Sequence, residues 1–180
     1  MSHWEAEPAG RVWVRVVAAE DGAALCRAHG ASVALHAPWV TPFTDMDGFR
    51  TWQGRIAEQQ GEALVAIDRR DGGIAGLFAL TGVMHGALCS AWLGYHAMAG
   101  YAGRGLMTEA MGLVCHHAFR TLGLHRVEAN IQPENARSIA LVQRAGFQRE
   151  GYSPRYLRIG GVWRDHERWA LLADTEEEPG

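Results

Sequence analysis

The chain has 180 residues, 48% hydrophobic and 21% charged, which suits one globular domain with its own core. A net charge of −3 gives no bulk attraction to a nucleic-acid backbone. Three cysteines without Cys-x-x-Cys spacing argue against a disulfide framework or zinc site, and no run of 18 apolar residues marks a membrane span.

Residues 1–10 read as a loose lead-in, acidic and without the apolar core of a signal peptide, so the expected compartment is the cytoplasm. Val12 to Val17, β-branched and aromatic, reads as a strand. Glu20 to His29 is a short helix. Pro38 and Pro42 keep the next stretch out of any helix interior, and Thr44 or Asp45 then caps a helix to about Gln60. Glu62–Arg69 and Ile74–Val83 pair about the turn Asp71-Gly72-Gly73. Met84-His85-Gly86 turns into a strand from Ala87 to Tyr95, and a long helix runs to Leu122. His125–Gln132 is a strand, Asn135–Ala145 a helix ended by Gly146, and Phe147–Arg158 and Val162–Leu172 are strands about Gly160-Gly161. The count is about seven strands and four helices in mixed α/β (α+β) order. Residues 11–173 form the expected single domain, and 174–180 an acidic, disordered tail.

The informative stretch is Gly94–Phe119, where strand, glycine turn and helix follow one another. Leu106, Ala110, Leu113, Val114 and Ala118 mark one helix face. Gly103 and Gly105 let backbone N–H groups approach a ligand, and the helix N-terminus adds unpaired donors and a positive dipole end. Together these suit a phosphate or pyrophosphate. A P-loop needs a lysine, and the chain has none. A dinucleotide fold needs a third glycine where Thr108 stands.

Ala102-Gly103-Arg104-Gly105-Leu106-Met107 resembles the coenzyme A turn, Gln/Arg-x-x-Gly-x-Gly/Ala, of the GCN5-related N-acetyltransferases (GNAT). Two positions depart from that pattern. Ala102 replaces Gln/Arg, and Met107 is larger than the usual residue and is expected to crowd the turn. About 30 residues on, Asn135, Ser138, Leu141 and Gly146-Phe147 resemble the family's Asn-x-x-Ser-x-x-Leu…Gly-Phe segment. Pro38-Trp39 and the stretch from Gly151-Tyr152 to Asp165-His166 are similar to the RimJ/RimL-type branch, the ribosomal-protein N-terminal acetyltransferases. The resemblance covers about residues 11–172.

It implies a central, mostly antiparallel sheet splayed between the fourth and fifth strands, and acetyl-CoA as co-substrate without a metal. The pantetheine arm would pair near His96, Ala97 and Met98. The pyrophosphate would sit on the N–H groups of Gly103, Arg104, Gly105, Leu106, Met107 and Thr108. Asn135 would hold the coenzyme, and Ser138 would meet its sulfur as donor or acid; a plain N-cap with its partner is the structural alternative. Glu128 and Asn130 share one face of their strand by alternation. If that face looks into the split, Asn130 holds a water and Glu128 is a candidate base through it; a surface carboxylate near Arg126 is the simpler alternative. Trp39, Trp52 and Tyr156 are candidates for the acceptor mouth, with core packing as the alternative.

Glu109 reads as a complement to the helix dipole, Cys89 as a buried apolar residue, and Cys115-His116-His117 as three side chains pointing apart. The implied acceptor is a protein N-terminus, such as that of a ribosomal protein with Ser or Ala first. The alternatives are a small amine (antibiotic or polyamine) or a non-catalytic acyl-CoA-binding module. The chain is expected to be a monomer or homodimer.

Overall fold

Buried and open positions alternate along the chain and divide one sheet into two faces. Val12 and Val14 are buried while Trp13 and Arg15 are not; Val127, Ala129 and Ile131 are buried while Arg126, Glu128 and Asn130 are not. The computed structural model describes residues 10–37 and 39–173 in full and the backbone of 5–6. The acidic stretch 174–180 and Pro38 lie outside the described residues.

Eight strands and five α-helices are present among the described residues. In order they are β1 (Glu5–Ala6), β2 (Val12–Val16), α1 (Gly22–Ala31), α2 (Val33–His36), α3 (Met46–Glu58), β3 (Glu62–Asp68), β4 (Ile74–Met84), β5 (Ser90–Ala97), α4 (Leu106–Arg120), β6 (Arg126–Ile131), α5 (Ala136–Arg144), β7 (Gln148–Ile159) and β8 (Val162–Leu172). They form one sheet in the order β1-β2-β3-β4-β5-β6-β8-β7.

Every pairing is antiparallel except β5 with β6. A parallel pair needs a long crossover, and α4 supplies it. Its buried side, including Leu106, Met107, Ala110, Met111, Val114 and Ala118, packs with Leu141 and Val142 of α5 on one sheet face. On the other face Leu25 and Cys26 of α1 and Phe49 of α3 pack with Val65, Ile67 and Leu77. Asp45 caps α3 by accepting from Gly48 N–H at 2.8 Å.

The splay lies where expected, between β5 and β6. They pair only at Ser90–Arg126, Ala91–Val127 and Trp92–Glu128. Beyond that, β5 follows β4 as far as Ala97, while β6 follows β8 as far as Ile131. Each strand keeps its outer neighbour, so the two diverge.

Three local expectations need correction. Glu5–Ala6, placed in the loose lead-in, pairs with Arg15 and Val14, because the edge of β2 offers open backbone groups. Val33–His36 adds one helical turn. β5 begins at Ser90 rather than Ala87, and Cys89, at φ 46°, is half-buried with its thiol donating to Gly123 O at 3.1 Å.

Candidate active site

After β5 the chain passes through Gly103 (φ 76°) and Gly105 (φ 80°), both in the left-handed region that glycine enters without strain. Gly105 is the N-cap of α4 and presents no side-chain cap. Glu109 N–H reaches back to Gly105 O at 3.3 Å, so the N–H groups before it have no carbonyl one turn earlier. They point out of the positive end of a 15-residue helix.

Side chains hold this turn from behind. Arg104 Nη2 lies 2.6 Å from Asp68 Oδ2, and its guanidinium stacks over Tyr101, so that side chain is committed to the scaffold. Met107 does not crowd the turn. It is buried, and its sulfur occupies the space that Gly76 of β4 leaves by lacking a Cβ. Thr108 Oγ1 is 3.5 Å from Arg144 Nε of α5. Glu109 Oε1 accepts from the N–H groups of Arg11 and Val12, so Glu109 also fastens the start of β2 to the helix's first turn. Arg11 was not singled out from the sequence. Its Nη1 donates to Arg104 O at 2.9 Å, and Nη2 lies 3.1 Å from where a Cβ on Gly105 would stand. It brings to the turn a cation that Ala102 does not provide. No local pattern announces this, because Arg11 is 93 positions from Arg104.

On the α4–α5 face of the split, Tyr95 Oη and Ser138 Oγ are 2.5 Å apart. Tyr95 lies on β5 past its last pairing with β6, and Ser138 is on α5, which follows β6. The contact therefore spans the gap. Burial pushes the Tyr95 phenol up to about 12, against the opposing effect of the Ser138 bond. Ser138 N–H donates to Asn135 Oδ1 at 3.2 Å, so Asn135 caps α5 as well as standing at the gap. Tyr95 too was missed. Its signal was a polar-tipped aromatic on the core-facing row Ala91, Leu93, Tyr95, Ala97.

The opposite face is built differently. His96 Nδ1 is buried and unpartnered, and its ring lies 5.5 Å from those of His29 and His36. Burial, with the two neighbouring imidazoles, lowers His96 to about 3. His36 Nε2 donates to Ala97 O at 2.8 Å, and Met98 N–H donates to Ala75 O at 3.0 Å, so two backbone groups expected to face a ligand are taken by the chain itself. On β6, Glu128 and Asn130 share the predicted face. Glu128 accepts from Arg126 Nε at 2.7 Å, and Arg126 also holds Glu150 through both terminal nitrogens. Asn130 Oδ1 is buried without a partner. Gln132 Nε2 donates to Trp39 O at 3.0 Å. His36 and Trp39, three positions apart, thus touch the β5 strand and the end of β6 respectively.

The three candidate mouth aromatics each have their own neighbours. Trp39 is beside Gln132, Trp52 packs with Phe43 and Phe49 at 5.2 and 6.3 Å, and Tyr156 lies 6.0 Å from His166 on the β7–β8 hairpin. Cys115 and His117 are buried and His116 is exposed, so that run diverges as predicted. Among the described residues no group of three or more His, Cys, Asp or Glu is arranged to hold a metal ion, and no helix is long and apolar enough to cross a membrane.

Residues 11–148 match a family model described as an acetyltransferase (GNAT) domain. The chain belongs to the GNAT acetyltransferase family.

It is 32% identical to the [ribosomal protein uS5]-alanine N-acetyltransferase of Escherichia coli over 169 residues, 89% of this chain and 87% of that enzyme. Its fold matches that of Mycobacterium smegmatis RimJ in complex with CoA-disulfide, with a TM-score of 0.81 and 32% identity over 93% of this chain and 84% of that one. The spermidine N-acetyltransferase of Vibrio cholerae, in complex with CoA and spermine, shares the fold at a TM-score of 0.75 and 18% identity, over 90% of this chain and 95% of that one. These similarities support the RimJ/RimL-type branch of the GNAT family, and the chain is an N-acetyltransferase. GNAT enzymes use acetyl-CoA, and this chain fits it: open donors at a helix N-terminus stand at the end of a strand that borders a split.

Proposed function

We propose that this GNAT enzyme acetylates the N-terminal α-amine of a protein chain with a small first residue, with acetyl-CoA as acyl donor, in the cytoplasm. The catalytic unit in this reading is residues 11–173. Acetyl-CoA, when bound, supplies the thioester acyl group. The N–H groups from Gly103 to Thr108 hold the pyrophosphate, and Arg11 adds positive charge. Asn135 and the β5 backbone from Tyr95 to Ala97 border the pantetheine. Ser138 faces the sulfur, and Asn130 Oδ1 is the open acceptor for a hydrogen of the incoming amine or of a water beside it.

The observation that carries the choice of acceptor is the pairing on β6. Glu128, the candidate base, is bound to Arg126, which also holds Glu150. A polycation is best held by free carboxylates, and here Glu128 and Glu150 share Arg126, which leaves this trio one uncompensated negative charge and no free carboxylate. An α-amine suits a lip without a strong base. Its pKa is about 8, against about 10.4 for lysine, so a usable fraction is already neutral near pH 7. The similarity to a uS5-alanine N-acetyltransferase points the same way.

The test is a panel of peptides with varied first residues, assayed beside spermidine and a lysine-bearing peptide with a blocked N-terminus. Mass spectrometry should place the acetyl group on the α-amine of peptides beginning with Ser or Ala. Modification confined to lysine side chains or to spermidine would overturn the reading.

A further inference from the structure

The Tyr95–Ser138 contact joins two hydroxyls across the split, and a single hydrogen lies between their oxygens. The phenol is the more acidic of the two and so the better donor. Tyr95 packs in the apolar cluster beside Phe78, with ring centroids 6.2 Å apart, and burial keeps its proton in place at any working pH. Ser138 is fixed independently, because its N–H is committed to Asn135 in the first turn of α5. If Tyr95 gives its hydrogen to Ser138 Oγ, the serine's own hydrogen remains free to turn into the gap.

We propose that Tyr95 is a positioning residue for the coenzyme's sulfur: it donates to Ser138 Oγ and so directs the Ser138 hydrogen at the departing thiolate. This rests on the acetyl-CoA reading of the site but not on the identity of the acceptor. In the transfer the amine nitrogen bonds to the thioester carbonyl carbon, and the C–S bond breaks with its electron pair leaving on sulfur. The proton that the sulfur finally carries is the one the amine loses. Ser138 and Tyr95 keep theirs, since an alcohol and a phenol are both weaker acids than a thiol. The pair is therefore a hydrogen-bond donor to developing charge rather than a general acid.

The test reads the sulfur directly. Free coenzyme A is bound to wild type, Tyr95→Phe and Ser138→Ala, and its thiol is titrated by the ultraviolet absorbance of the thiolate. Affinity for desulfo-coenzyme A and the melting temperature are measured in parallel. In wild type the bound thiol should ionise at lower pH than the free one. Ser138→Ala should weaken that ionisation about tenfold and Tyr95→Phe about threefold, with desulfo-coenzyme affinity unchanged in both. A Tyr95→Phe titration identical to wild type beside a shifted Ser138→Ala would reduce Tyr95 to packing and overturn the proposal. No shift in either variant would overturn it too, by removing Ser138 from the sulfur. Loss of desulfo-coenzyme binding by wild type would instead remove the coenzyme site itself. A peptide panel that fails on acceptor identity leaves all these readouts standing.

Discussion

The two ends of the proposed coenzyme site are made of different material. At the glycine turn the groups on offer are backbone N–H groups from one short run, residues 103–108, aimed by left-handed glycines and a helix end. At the far end the groups are side chains, Tyr95 and Ser138, that meet across 43 positions and a gap in the sheet. The first end depends on conformation, and with Ala102 and Met107 in place the left-handed glycines and the helix end are kept. The second depends on identity, since removing one oxygen removes the contact.

The sharpest way to break this contrast is to put a side chain into the backbone end. Gly105→Asp places a carboxylate on the phosphate side of the helix terminus, at a φ of 80° that only glycine adopts freely. Calorimetry should show acetyl-CoA affinity falling roughly 100-fold, about 2.7 kcal/mol. An affinity within threefold of wild type would move the pyrophosphate elsewhere.

A second experiment sets the two sides of β5 against each other. Tyr95 faces one way and stays protonated; His96 faces the other and stays neutral beside His29, which burial also lowers. Folded-state histidine values below the unfolded one mean that the unfolded chain binds more protons. Stability is therefore complete above about pH 6.5 and is lost as pH falls from there towards about 3, by up to ~1.4 kcal/mol per pH unit for each proton. Urea melts between about pH 7 and 5, above the range where ordinary carboxylates titrate, isolate the imidazoles. His96→Phe should flatten that slope; a slope unchanged from wild type would show that His96 does not control it.

The smallest effect belongs to Arg11, a side chain that adds charge to the backbone end. Its guanidinium is 62% exposed and partly balanced by Glu109. Arg11→Ala should weaken acetyl-CoA binding about fivefold at low salt and less at high salt, as screening predicts. A loss as large as that of Gly105→Asp would place side-chain charge above backbone geometry at this end.

These differences decide what could be read from the sequence. The glycine turn, α4, and the spacing of Asn135 and Ser138 were legible because each is encoded within a few residues by φ preference or helical period. The common face of Glu128 and Asn130 was legible from alternation alone. Tyr95, Arg11 and the three imidazoles were not, because each owes its place to pairings between distant strands and helices. Glu128 was visible as a carboxylate near Arg126, two positions away on the same strand, but the hold of Arg126 on Glu150 depends on β7 lying beyond β8. Trp39, Trp52 and Tyr156 were visible only as a residue type, because their neighbours, Gln132, Phe43 and His166, come from other elements of the fold.

The bonds made by His36 and Trp39 have a mechanical consequence. The sheet releases its grip between β5 and β6 after Trp92, yet a neighbouring stretch of chain grips both sides again, at Ala97 O and at Gln132 Nε2. The opening is thus a buttonhole rather than a tear, stitched at one end by β-pairing and at the other by two hydrogen bonds.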